Sequence, residues 1–204
     1  MKGVPLALCR QVHDALARPW RRFALRMGLF LLILGIDHWL LGGAHPLLAT
    51  GIADETAHLS TMVIFLLAFP TLRNAGFIAG CLAGSVAIDL DHIPLFLGSN
   101  LLTEQTNRPF THGLLTIAIV LVVSVPVGGT WRYAGLGVAV GLAAHFLRDM
   151  ATSTAGVPLL WPFSTTGFML PYPLYAAALA GALAWAAVTA ALLPGRETRQ
   201  GPGR

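Results

Sequence analysis

Charge is what this sequence has least of. Only 11% of its 204 residues are Asp, Glu, Lys or Arg, against about 25% in a soluble domain, and that scarcity excludes an ordinary water-soluble surface. Cysteine is nearly missing as well. Cys9 and Cys81 are the whole supply, too few for a disulfide framework or a zinc knuckle, and Cys81, inside an apolar run, reads as a small packing residue. There is no G-x-G-x-x-G and no phosphate loop, so the common nucleotide-binding signatures are absent. None of Ser60, Ser85, Ser153 and Ser164 stands in a G-x-S-x-G elbow, so the rival Ser/His/Asp chemistry has no nucleophile-elbow signature here.

Apolar residues take the place of charge. They make up 55% of the chain, and the mean hydropathy is +0.70. A span needs about 20 apolar residues, and the runs at 24-42, 58-72, 75-97, 111-128, 133-149 and 172-193 supply about six, the second of them short and interrupted by Pro70. The expectation is an all-α, polytopic membrane protein with one transmembrane domain over 24-194. A segment at 1-23 is either a basic tail or an amphipathic surface helix, and a basic tail follows at 195-204. The first run has a long basic region before it and no small-residue cleavage site after it, so it reads as an uncleaved span. Gly76, Gly80 and Gly84, and again Gly135, Gly137 and Gly141, suit close helix packing in lipid.

The few basic residues cluster. Lys2, Arg10, Arg18, Arg21, Arg22 and Arg26 precede or open the first span, and Arg196, Arg199 and Arg204 follow the last. Beside hydrophobic spans they mark the cytoplasmic side, and nucleic acid is not expected as a partner. Both termini then lie inside, and Arg73 and Arg132 fall in inner turns. Asp37 and His38, then Asp54, Glu55 and His58, then Asp89, Asp91 and His92, then His112, and finally His145 and Asp149 all fall near the outer face, although Arg and Lys alone set the topology.

The densest of these groups is Asp89-Leu90-Asp91-His92, inside an apolar segment. Ionised carboxylates leave water at a cost unless paired or bound to metal, and two so close repel without a cation. Asp and His are ligands for zinc and similar divalent metals. Asp54/His58 and His145/Asp149 are each four apart, and Asp89/His92 three apart, so each pair shares a helix face. Singly, each has an ordinary explanation: a helix cap at the interface for Asp89 and Asp91, capping for His112, a helix-end hydrogen bond for His145 and Asp149. Together they predict a divalent metal centre, zinc first, with one to three ions.

Four motifs in this order resemble the YdjM-like family of inner-membrane proteins, which are described as metal-dependent hydrolases distantly similar to zinc-dependent phospholipase C. They are Ile88-Asp89-Leu90-Asp91-His92, Arg108-Pro109-Phe110-Thr111-His112-Gly113-Leu114, His145-Phe146-Leu147-Arg148-Asp149 and Gly156-Val157-Pro158-Leu159-Leu160-Trp161-Pro162-Phe163. The resemblance covers about 54-165. It implies a bacterial-type inner (plasma) membrane and makes Asp89, Asp91, His92, His112, His145 and Asp149 metal ligands, with His58 carried over less directly. The family's early histidine has no clear counterpart unless His58 or His38 fills that place.

The function expected from this reading is hydrolysis of a phosphoester or ester in a lipid-like substrate by a metal-bound hydroxide. Asp54, Glu55 and Asp91 are the candidate catalytic carboxylates. Arg108 and Arg148 are candidates for holding substrate phosphate, and Asp37 and His38 for orienting the ligands. The alternative is a non-enzymatic membrane protein that uses the same cluster for metal binding, transport or protein interaction. Transport would want polar residues in both leaflets, and few stand near the inner one.

Overall fold

The computed structural model describes residues 19–69, 74–103, 106 and 108–192. The amphipathic segment or tail expected before residue 19, the C-terminal tail and Arg73 lie outside them. The described residues form α1 (Pro19–Leu41), α2 (Leu47–Ala68), α3 (Ala75–Gly84), a 3₁₀ turn (Ala87–His92), the one-turn α4 (Ile93–Phe96), α5 (Leu114–Ser124), α6 (Gly129–Thr152) and α7 (Tyr172–Leu192). No strand occurs among them. A single antiparallel bridge, Val157 to Phe168, closes the loop between α6 and α7.

By length and composition, Arg21–Leu41, Leu47–Ala68, Ala75–Phe96 and Tyr172–Thr189 are able to cross a membrane, while Leu114–Ser124 is shorter. α6 has the length, at 24 residues, but carries Arg132, His145, Arg148 and Asp149. Large apolar side chains such as Leu31, Val122, Trp131 and Trp185 stand exposed on the outside, as lipid-facing residues do.

Three boundaries differ from those read in the sequence. The stretch 43-57 is not a loop: α2 begins at Leu47 and carries Asp54, Glu55 and His58 on one helix. Its carboxylates do not break it because they face partners on α6 and on the 3₁₀ turn. The run 75-97 is not one helix. α3 stops at Gly84, where the Ser85 hydroxyl bonds back to the Leu82 carbonyl at 2.9 Å. The chain then tightens into the 3₁₀ turn that presents Asp89, Asp91 and His92. The run 111-128 shrinks to the 11 residues of α5.

α6 is the central helix. Met62 of α2, Cys81 of α3 and Ala144 of α6 form one core, and Leu142, Phe146 and Val157, with Ile117 and Val120 of α5, form another. A third core joins α1, α2 and α7 through Ile33, Ile64, Tyr175 and Leu179. α3 and α6 meet backbone to backbone. A Cβ at Gly80 would overlap the Ala134 carbonyl, one at Gly84 the Val138 carbonyl, one at Gly137 the Phe77 carbonyl and one at Gly141 the Cys81 carbonyl. Small residues allow this approach in lipid, where packing rather than the hydrophobic effect joins helices. The approach brings the turn after α3 against the last two turns of α6, and there the polar residues collect.

Candidate metal centre

Four elements supply the cluster. The 3₁₀ turn gives Asp89, Asp91 and His92, the loop before α5 gives His112, α6 gives His145 and Asp149, and α2 gives His58. His112 Nε2 lies 3.1 Å from Asp89 Oδ1 and its Nδ1 3.2 Å from Asp91 Oδ2. His92 Nδ1 is 3.0 Å from Asp91 and 3.4 Å from Asp89. His145 Nε2 lies 3.1 Å from Asp149 and 3.4 Å from Asp89, and His58 Nε2 lies 3.4 Å from Asp149. The rings of His58 and His145 stack at 3.7 Å with a tilt of 10°. His58, His112, His145 and Asp149 are buried, whereas Asp89, Asp91 and His92 keep a partly accessible edge.

The orientation of His145 is fixed. Its Nδ1 lies 2.9 Å from the Ser85 carbonyl, and a carbonyl only accepts, so Nδ1 carries a proton, and in the neutral ring Nε2, turned to Asp149 and Asp89, holds the lone pair. A ligating histidine is held in this way, with its far nitrogen donating to a carbonyl. Nε2 of His145 is buried without a hydrogen-bond partner, and so are both ring nitrogens of His58, Nδ1 of His92, Nδ1 of His112 and Oδ1 of Asp91. Buried polar atoms are normally satisfied, and these imidazole nitrogens stand among carboxylates that could share a metal ion with them. Asp89, Asp91, His92 and His112 can each place a ligand atom within 4.8 Å of the others, as can His58, Asp89 and His145, and His112, His145 and Asp149. The donor set of imidazole and carboxylate suits zinc and its neighbours.

Charge points the same way. Among the described residues, Asp37, Asp54, Glu55, Asp89, Asp91 and Asp149 face two guanidiniums, Arg108 and Arg148. His112 lies outside the spans. Burial alone would lower its pKa, but Asp89 and Asp91 against the ring outweigh that, and the net shift is upward.

The remaining residues named from sequence fall out as follows. Asp37 is buried and bonded to Arg148 at 2.6 Å and to the Tyr172 hydroxyl at 2.8 Å. His38, the next residue, is exposed on the other side of α1, apart from the cluster. Asp54 pairs with Arg148 and faces His58 at 3.9 Å. Glu55 lies beside Asp89, with Oε2 buried and unbonded. Arg108 pairs with Asp149 at the accessible edge. Arg148, expected to meet substrate, is wholly buried, with its guanidinium taken up by Asp37 and Asp54.

Three participants escaped the sequence reading. Ser85 acts through its backbone, which no residue type announces. Thr111 donates to Asp91 and is not a helix cap, since α5 is capped at Gly113. Tyr172 opens a helix that looked featureless, and its signal was a phenol at the polar end of an Ala/Leu run.

The model of the YdjM inner membrane protein family matches residues 33–201. The chain belongs to the YdjM inner membrane protein family. The match takes in every residue of the cluster, from Asp37 on α1 to Asp149 on α6, and reaches well beyond the motifs read by eye. No curated protein and no solved structure matches this YdjM chain.

Proposed function

We propose that this YdjM protein is a membrane-embedded, metal-dependent hydrolase acting on a phosphoester or ester of a lipid-like substrate. The observation that carries this reading is the convergence of buried, unbonded imidazole nitrogens on three aspartates at one end of the helix bundle. Asp89, Asp91, His92 and His112 would hold one ion, and Asp89, His58 and His145, with Asp149, a second. Zinc, when bound, supplies Lewis acidity toward an ester oxygen and makes a water acidic enough to attack near neutral pH.

The chain's own residues supply the rest. Arg108, at the accessible edge, meets the substrate's charged oxygens with a planar fork of donors. Glu55 is the acid of α2 not committed to a guanidinium, because Asp54 and Asp37 pair with Arg148, and it is placed to exchange a proton with the attacking water. Ser85 keeps His145 in the ligating tautomer. The accessible edge is ringed by exposed Leu90, Phe96 and Leu97, a rim that favours a substrate whose headgroup reaches the site while its tails stay in the bilayer.

The test is elemental analysis of detergent-purified protein beside Asp91→Ala and His112→Ala. Stoichiometric zinc, manganese or iron in the wild type, reduced in both variants by the ion that Asp91 and His112 would hold while they remain in the membrane, is the expected result. Phosphate release from phospholipid and polyprenyl phosphate esters then follows the metal. Normal metal content in both variants would sink the site, and bound metal without any hydrolysis would favour a non-enzymatic metal-binding role.

A further inference from the structure

Among the described residues, the largest fully buried side chain is a charged one, Arg148. It follows His145 by three residues and precedes Asp149 on α6, yet it points to the other side of the metal centre. Its Nη2 donates to Asp37 Oδ1 on α1 at 2.6 Å, and its Nη1 donates to Asp54 Oδ1 on α2. The Tyr172 hydroxyl, from α7, donates to the second oxygen of Asp37 at 2.8 Å. Four helices therefore meet on one guanidinium. The second oxygen of Asp54 turns to His58 Nε2 at 3.9 Å, and the His58 ring lies flat on His145 at 3.7 Å.

A fully buried guanidinium with one arm on buried Asp37 and the other on half-buried Asp54 is not available to a substrate. Net stability is a poor reason for it too, since well-packed apolar residues often do as well as a buried ion pair. What a planar fork does well is to fix two carboxylates at a set separation and angle. We propose that Arg148 is a positioning residue. With Asp37 and Tyr172 it clamps the Asp54–His58 turn of α2 against the His145–Asp149 turn of α6, and so builds the His58–His145–Asp89 half of the metal centre. The other half, Asp89, Asp91, His92 and His112, is built by the 3₁₀ turn and the loop before α5 and does not depend on the clamp. This inference rests on the reading of the cluster as a metal centre.

The test is a cobalt(II) titration of metal-stripped, detergent-purified protein, counting ions and following the visible absorption of the bound cobalt. Arg148→Lys keeps the charge and loses the fork. The triple variant Asp37→Asn, Asp54→Asn, Arg148→Met removes the whole charged group, leaves no buried charge unpaired, and serves should Arg148→Lys not fold. The wild type is expected to take two ions. Both clamp variants keep one at wild-type affinity and bind the other about 10–100-fold more weakly, the usual effect of losing an orienting partner. Tyr172→Phe gives a smaller loss at the same ion, and Asp91→Ala loses the opposite one. Wild-type affinity and spectrum for both ions in the two clamp variants would overturn the assignment, as would equal loss of both ions. Unchanged metals with weaker binding of inorganic phosphate would instead return Arg148 to the substrate. A wild type that takes up no cobalt defeats the metal reading itself, and this assignment with it.

Discussion

Glu55 differs from the other acidic residues of the cluster in what surrounds it. Asp37 and Asp54 are neutralised by Arg148, and Asp149 by Arg108 and three imidazoles, whereas Glu55 lies beside another carboxylate, Asp89, and keeps one oxygen buried and unbonded. Glu55→Gln keeps the shape and removes the proton acceptor. It should leave the metal content unchanged and lower hydrolysis by about 10²–10⁴-fold, the usual contribution of a general base. Loss of metal in Glu55→Gln would make it a ligand instead. At this scale the residue types were legible and their directions were not. Asp37 and His38 are neighbours in sequence, but a helix turns successive residues about 100° apart, so one enters the cluster and the other faces out. Arg148 and Asp149 divide in the same way, one toward the clamp and one toward the metal centre. Nothing in the order of letters says which member of such a pair points inward.

The helices succeed or fail as a set through the contact between α3 and α6. Half of the proposed metal centre hangs from the turn after α3, and His145 and Asp149 sit on α6, so the spacing of the two backbones sets the distance between the candidate ligands. Gly141→Val would push a branched side chain into the Cys81 carbonyl and the Ser85 amide. Overpacking of this kind costs about 1–3 kcal/mol, and here it also moves Asp89 away from His145. The expected outcome is a lower thermal midpoint in detergent together with loss of metal. Gly35→Val, on α1 with no atom within 4 Å of its Cβ, should change neither. Metal retained at wild-type level in Gly141→Val would show that the turn adjusts independently of the helix contact. Glycine spacing announced this packing in the sequence, but the ends of the helices were harder to read. Asp54 and Glu55 looked like a loop because hydropathy counts a carboxylate as water-seeking wherever it stands. In the fold they ride on a continuous α2 and point at a guanidinium and at the 3₁₀ turn. The break at Ser85 was hidden for the opposite reason, since Val86, Ala87 and Ile88 kept the apolar run going after the helix had stopped.

Among the described residues, the acidic groups gather at one end of the bundle. Asp37 near the end of α1, Asp54 in the first half of α2, the turn after α3, His112 before α5, Asp149 at the end of α6 and Tyr172 at the start of α7 all meet there. The basic residues Arg21 and Arg22 open α1, and Arg132 opens α6, at the opposite ends of those helices. By the positive-inside rule, the end bearing Arg21, Arg22 and Arg132 should face the cytoplasm, and the metal centre the outer face of the inner membrane. Single cysteines in a background of Cys9→Ser and Cys81→Ala make this measurable with a membrane-impermeant maleimide on whole cells stripped of their outer membrane. Ala44→Cys, after α1, and Ser99→Cys, after α4, are exposed and should label from outside. Val127→Cys, exposed in the turn between α5 and α6, should label only after the membrane is opened. The reverse pattern would put the metal centre on the cytoplasmic side, where its substrate would come from the inner leaflet. Labelling of Ala44→Cys and Val127→Cys from the same side would mean that the polar end and the basic end do not face opposite compartments. The short α5 would then be the first helix to question, because its 11 residues reach about 16 Å at 1.5 Å per residue, roughly half the hydrocarbon thickness.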